Sequence, residues 1–142
     1  KNELVSAVKN EGIEDMFNFI SRQPATRIPE LMAACDVAFL SLTDSPLFAM
    51  TIPAKLQSYM ACGIPVLASS TGETNKIICE SNSGLCSLPG NAIELADNII
   101  QLSGKSQEEL KLLGNNARIY YEKNFDKNTL LDRMDYWFQC RV

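Results

Sequence analysis

The run from Ser45 to Ser69, SPLFAMTIPAKLQSYMACGIPVLAS, leaves the chain few ways to fold. Ser45-Pro46 marks a turn that opens a loop. Pro53 sits just inside a helix start, where its fixed φ and missing N–H cost nothing. Gly63 falls just past the end of that helix and Pro65 bars continuation. Val66 to Ala68 then reads as a buried strand. Ile52, Leu56, Tyr59 and Met60 recur at core-facing spacing, while Thr51, Lys55, Ser58 and Cys62 line another side. A cation at Lys55, in the first turn, is mildly opposed by the helix dipole. A bound anion would remove that conflict, because free N–H groups and the ammonium would converge on it. A lysine that simply snorkels to water is the alternative.

Punctuation of the same kind continues along the chain. Residues 2 to 11 read as a helix closed by Gly12, and Met16 to Ile20 as a strand. Ser21 to Pro24 forms a loop. Pro29 starts a helix with Ile28, Leu31, Met32 and Cys35 on one face, and VAFLSL from Val37 is a second buried strand. Beyond the Ser45–Ser69 run, a helix carries Ile77 and Ile78 and closes near Asn82 to Gly84. Leu85 to Leu88 is a fourth strand. Asn91 with Glu94 signals an N-cap, and the helix through Leu102 would turn Ile93, Ala96, Ile99 and Ile100 inward. Ser106 and Glu109 form a capping box for a long helix with Leu110, Leu113, Ala117, Tyr120 and Tyr121 inward. Asp126 starts a last helix bearing Leu130, Met134, Trp137 and Phe138. Strands alternating with helices imply α/β architecture: a Rossmann-like, three-layer parallel sheet flanked by helices, with right-handed crossovers. Ligands of such sheets gather at the carboxyl ends of the strands, here Ser21 to Pro24, Thr43 to Thr51, Ser69 to Glu73 and Pro89-Gly90.

Composition narrows the chemistry. The 142 residues, 46% hydrophobic and 21% charged, suit one soluble globular domain. A net charge of −4 argues against a nucleic-acid surface. No apolar run approaches the roughly 18 residues that span a bilayer. The abrupt start at Lys1 reads as a cut piece of a longer protein. With no histidine and five cysteines without C-x-x-C spacing, zinc ligation is not expected. Ser-His and Cys-His nucleophiles are excluded within the chain. An odd cysteine count in apolar segments suits a reducing compartment, with cysteine as a small packing residue.

Three words in this order carry a resemblance: IPELMAACDVAFLSL from Ile28, IPAKLQSYMACGIPVLAS from Ile52, and the Gly72-Glu73, Ser83-Gly84-Leu85 and LADNII series. Together they resemble the C-terminal, donor-binding half of a bacterial glycosyltransferase of the GT-B fold, family four, the glycosyl transferases group 1. The resemblance covers nearly the whole chain. It implies a single nucleotide-sugar-binding domain over 1–142, with 106–142 as terminal helices and an N-terminal acceptor domain elsewhere. The donor implied is a nucleotide diphosphate sugar, a UDP-sugar first, with no tightly bound metal or other cofactor. The acceptor would be a glycan or lipid-linked sugar of capsule or lipopolysaccharide synthesis. The place would be the cytoplasm, with the inner membrane face open to the whole enzyme as a peripheral protein.

By the same resemblance, Ser21 and Arg22 lie along the nucleobase edge. The loop from Leu47 to Ile52, with Met50 and Thr51, presents backbone N–H groups to the diphosphate and sugar. Lys55 adds charge, Ser58 reaches a ribose hydroxyl, Asp44 and Ser45 border the sugar, and Glu73 faces the pocket. Glu73 also has the plainer reading of an acid favoured in a helix first turn, and Arg22 that of a solvated loop residue. Tyr120, Tyr121 and Trp137 are core or contacts for the other domain. The chain departs from the family where it matters most. The usual pair of glutamates eight positions apart is replaced by Met50 and Ser58. Methionine cannot act as a carboxylate, and serine offers a ribose one neutral group. A non-catalytic nucleotide- or ligand-binding module with this fold is therefore the rival reading. A two-component receiver is disfavoured because no acidic pair follows Met16 to Ile20. No catalytic residue is assigned, since any general base would lie outside this chain.

Overall fold

The computed structural model describes residues 2–140, leaving Lys1, Arg141 and Val142 outside. Its centre is a parallel sheet of β1 (Ala38–Ser41), β2 (Val66–Ser69) and β3 (Gly84–Ser87), in spatial order β1-β2-β3. Register is direct, with Ala38 beside Val66 and Val66 beside Gly84. Around it run α1 (Asn2–Asn10), α2 (Ile28–Ala33), α3 (Pro46–Ala49), α4 (Ala54–Ala61), α5 (Glu73–Glu80), α6 (Ala92–Ser103), α7 (Gln107–Asn124) and α8 (Lys127–Gln139).

Strand alternation divides the core into two. Leu40, Val66 and Ala68 join Leu56 and Met60 of α4, Ile77 and Ile78 of α5 and Ala117 of α7. On the opposite face Leu67 packs with Leu102 of α6 and Leu110 of α7. The central strand β2 is buried on both sides and reads as a continuous apolar run, whereas β1 turns Phe39 and Ser41 outward. Glycine permits two close crossings. A Cβ on Gly84 would lie 1.7 Å from the Val66 carbonyl oxygen, and one on Gly114 would lie 2.1 Å from that of Gly63.

Capping is where sequence and structure agree most closely. Asn91 accepts from the Glu94 N–H at 3.1 Å. Ser106 and Glu109 close a full capping box, and Asp126 accepts from Asn128 and Thr129. Gly63 ends α4 at φ +67°, the left-handed position that favours glycine.

Several expectations require correction. Met16 to Ile20 does not join the sheet: Glu14–Met16 is a 3-10 turn, and residues 17–20 have no ladder partners and close on themselves through the Ile20 N–H to Asn18 carbonyl bond at 3.2 Å. Its short apolar, aromatic-rich run made it look like a strand, but Met16 is 82% exposed and no buried face fixes a register. The loop before α4 contains α3, with Ser45 as its N-cap. Pro53 is the N-cap of α4, not its first residue; its ψ of 138° is extended and its carbonyl accepts from Leu56 and Gln57.

α6 turns the other way from its isoleucines. Ile93 and Ile100 are 78% and 68% exposed, and Ile99 and Ala96 also face outward. Leu95 and Leu102 pack on the sheet instead, and Asn98 between them donates to the Cys86 carbonyl at 3.0 Å. The asparagine satisfies a carbonyl of the edge strand β3, so the inward stripe is not wholly apolar.

Cysteine as a packing residue also fails at four of five positions. Cys35, Cys62, Cys79 and Cys140 are exposed, and only Cys86 is partly buried. Ile28 and Cys35 of the expected α2 face are exposed as well. Tyr120 and Tyr121 do pack on the core, whereas Trp137, on the open face of α8, is 66% exposed.

Candidate functional site

The carboxyl ends of the three strands open onto three loops: 42–53, 70–72 and 88–91. The first two lead into the N-termini of α4 and α5. Loop 42–53 is held largely by its own backbone. The Ser45 hydroxyl accepts from the Leu47 N–H at 3.3 Å, and the Thr51 hydroxyl donates to the Phe48 carbonyl at 3.2 Å. Both hydroxyls therefore shape the loop. Met50, 73% exposed, closes α3 and presents an unbranched thioether to solvent. Ile52 is exposed just before Pro53.

Pro53 has no side-chain acceptor, so nothing caps α4 from within. The N–H groups of Ala54 and Lys55 find no acceptor among the described residues. Helix N-termini normally fill such positions with Ser, Thr, Asp or Asn. Lys55 is exposed in the same turn and forms no ion pair among the described residues. Two free donors, the helix dipole and an ammonium share one helix turn. Chemically, that arrangement suits an anion of phosphate or carboxylate type.

Ser58 lies one turn further along α4, exposed, with its hydroxyl donated to the Ala54 carbonyl at 2.9 Å. Its oxygen lone pairs stay open to a donor such as a sugar hydroxyl. Tyr59 points the other way. Its hydroxyl reaches the Phe39 carbonyl at 3.4 Å, and burial, with Cys35 nearby, pushes its pKa above the usual phenol value.

Loop 70–72 meets loop 42–53 directly. Gly72, at φ +68°, lies so near Ala49 that a Cβ would be 1.9 Å from the Ala49 carbonyl oxygen. Glu73 opens α5 and pairs with Lys76 at 3.7 Å, consistent with the plain first-turn reading. Thr74 beside it is fully buried, and its hydroxyl has no hydrogen-bond partner. At the third loop, the Glu94 carboxylate accepts from the Leu88 N–H and the Asn91 amide, both at 3.0 Å.

Ser45, Met50, Thr51, Ile52, Lys55 and Ser58 thus share one loop-helix unit, and the Gly72–Ala49 contact brings Glu73's helix to it. Ser21 and Arg22 are not joined to that unit by any hydrogen bond or ion pair among the described residues. Gln23 donates to the carbonyl and hydroxyl of Ser21 within their own turn. The Gly72–Ala49 approach and the hydrogen bonds around Ser70 and Asn75 were missed from sequence; the only local signal was a glycine directly before a helix. A groove of about 700 Å³ lies elsewhere, between Phe17, Phe39, Leu67, Leu95 and Ile99. Among the described residues no cluster of three His, Cys, Asp or Glu side chains could hold a metal, and no helix is long and apolar enough to cross a membrane.

Comparison with known proteins bears on the family and the fold. N-acetyl-alpha-D-glucosaminyl L-malate synthase of Bacillus anthracis is 27% identical over 132 residues, 93% of this chain and 32% of that protein. Sucrose-phosphate synthase from Thermosynechococcus elongatus superposes with a TM-score of 0.80 at 20% identity, over 97% of this chain and 33% of that one. That likeness is one of fold, the parallel α/β architecture of a GT-B glycosyltransferase. This chain thus spans about a third of the length of both. The profile described as "Glycosyl transferases group 1" matches residues 1–120, and the chain belongs to that family.

Proposed function

We propose that this chain is the donor-binding part of a glycosyltransferase that uses a nucleotide diphosphate sugar. The observation that carries the reading is the start of α4: Pro53 leaves the Ala54 and Lys55 N–H groups uncapped, with the Lys55 ammonium in the same turn. In sugar transfer from such a donor, an acceptor oxygen attacks the anomeric carbon while the diphosphate departs. Negative charge grows on the leaving oxygen, and prealigned donors that meet it there lower the barrier. The uncapped turn and Lys55 would supply those donors, Ser58 a ribose contact, and Ser21 with Arg22 the edge of the base. UDP is the first nucleotide to test. The acceptor site and any general base would belong to the further length that the relatives have, and a glycan or lipid-linked acceptor of surface polysaccharide synthesis fits the reading. The site would then be a cytoplasmic one.

A second reading, a nucleotide-binding module without catalysis, is favoured by Met50, which is exposed and carries no carboxylate at the position that the family resemblance matches to the first glutamate.

The test is an amide-shift titration of the labelled chain with UDP, GDP and UMP, repeated on Lys55→Ala. Shifts across Thr51 to Ser58 that prefer a diphosphate, and that need roughly tenfold more ligand without Lys55, support the donor site. Identical curves for wild type and Lys55→Ala would refute the assigned anion site. Nucleotide binding paired with an inactive longer protein would favour the second reading.

A further inference from the structure

We propose that Asn75 is a positioning residue that sets the shape of the donor loop from the first turn of α5. The inference rests on the donor-site reading above, and its geometry runs from side chain to loop in four steps. Asn75 grips Ser70 at both ends of its amide: Asn75 Nδ2 donates to the Ser70 carbonyl at 2.6 Å, and Ser70 Oγ donates to Asn75 Oδ1 at 2.6 Å. Ser70 is fully buried and its N–H donates to the Ser87 carbonyl at 3.0 Å, which prolongs the β2–β3 ladder by one residue. All three polar groups of Ser70 are therefore spent, and the chain leaves the sheet at a fixed angle. Two residues later Gly72 takes φ +68°, its carbonyl accepts from the Lys76 N–H at 3.0 Å, and it leaves no room for a Cβ beside the Ala49 backbone. Ala49 closes α3, and Met50 to Pro53 lead from it into the uncapped turn of α4.

Asn75 does not approach the proposed anion position itself. Its role is to hold Ser70 so that Gly72 has one place to stand, and Gly72 in turn limits where loop 49–53 can lie. Two short bonds across five residues give a bidentate clamp that neither a serine nor an alanine reproduces. Aspartate keeps an acceptor for Ser70 Oγ but has no N–H for the Ser70 carbonyl, so it separates the two halves of the clamp.

The experiment compares amide shifts of the 142-residue wild-type chain, Asn75→Ala and Asn75→Asp, first without ligand and then with UDP, with thermal melts alongside. The expected result is movement of the Ala49 to Ile52 amides in Asn75→Ala, less movement in Asn75→Asp, and unchanged shifts in α6 and the C-terminal half of α7. UDP affinity should drop by roughly tenfold in Asn75→Ala, the scale of losing a pair of partly buried hydrogen bonds. If shifts in both variants stop at residues 69 to 77 while 49 to 52 stay put, the clamp is local and the proposal fails. Failure of both variants to fold also overturns it, because the pair would then hold the core and not the loop. If wild type binds no nucleotide, the donor-site reading falls, yet the ligand-free shifts still decide whether Asn75 governs the loop.

Discussion

Gly72 and the Ala49 carbonyl stand closer than any side-chain-bearing residue could allow: a Cβ on Gly72 would lie 1.9 Å from that oxygen. The residues are 23 positions apart and belong to loops at the ends of different strands. Gly72→Ala must therefore relieve a clash by moving one loop and also pay the strain of φ +68°. The expected result is a loss of about 1–3 kcal/mol in unfolding free energy, with nucleotide shifts at Thr51 to Ser58 weakened or lost. Urea denaturation and the same titration measure both. Wild-type affinity in Gly72→Ala would show that loop contact is irrelevant to binding.

Gly114 offers a control far from that site. Its missing Cβ admits the Gly63 backbone where α7 crosses the end of α4, and a methyl there would meet the Gly63 oxygen at 2.1 Å. Gly114→Ala gains helix propensity, but separating the helices should dominate, destabilising by about 1–3 kcal/mol. Equal or higher stability by chemical denaturation would mean that the crossing gives way easily.

How much of this was legible in the sequence depends on the range of the signal. Caps and stops were legible because each is local: Asn91, Ser106 with Glu109, Asp126 and Gly63 act within four residues of themselves. The face of α6 was not, since Ile93, Ile99 and Ile100 outnumber the inward Leu95 and Leu102, and the residue between those two is polar. Met16 to Ile20 has the apolar, aromatic-rich content of a strand, but pairing depends on a neighbour that composition does not encode. At the candidate site, Lys55 could be read in its first-turn place, and Pro53 was read one position too far into the helix. The clamp on Ser70 and the Gly72–Ala49 approach could not, because each depends on how separate loops return to one edge of the sheet.

Thr74 invites a substitution in the stabilising direction. Its hydroxyl is buried without a partner, an arrangement that carries a desolvation cost and no hydrogen bond in return. Thr74→Val replaces the hydroxyl with a methyl of similar size and should raise stability by about 1 kcal/mol, a Tm gain of roughly 4 °C for a chain of this length. A lower Tm would indicate that the hydroxyl is satisfied in solution.

Cysteine reactivity should separate one thiol from the rest. Burial, then the adjacent Cys79, pushes the Cys86 pKa up to about 12. Only the thiolate is nucleophilic, so at pH 8 roughly one Cys86 in ten thousand is reactive at any instant. Peptide mass spectrometry after brief iodoacetamide treatment should find Cys35, Cys62, Cys79 and Cys140 modified well before Cys86. Equal rates would show that β3 opens readily.

The far end of α4 gives its near end a different significance. The Arg118 guanidinium donates to the Ala61 carbonyl there, and Glu122 holds it by a 2.7 Å ion pair. One pole of the helix is thus already answered by protein charge, while the pole at Ala54 and Lys55 has no counter-charge supplied from the described residues. α4 behaves as a half-compensated dipole whose remaining positive end faces outward, and capture of the proposed anion would complete an electrostatic circuit that α7 has already half closed.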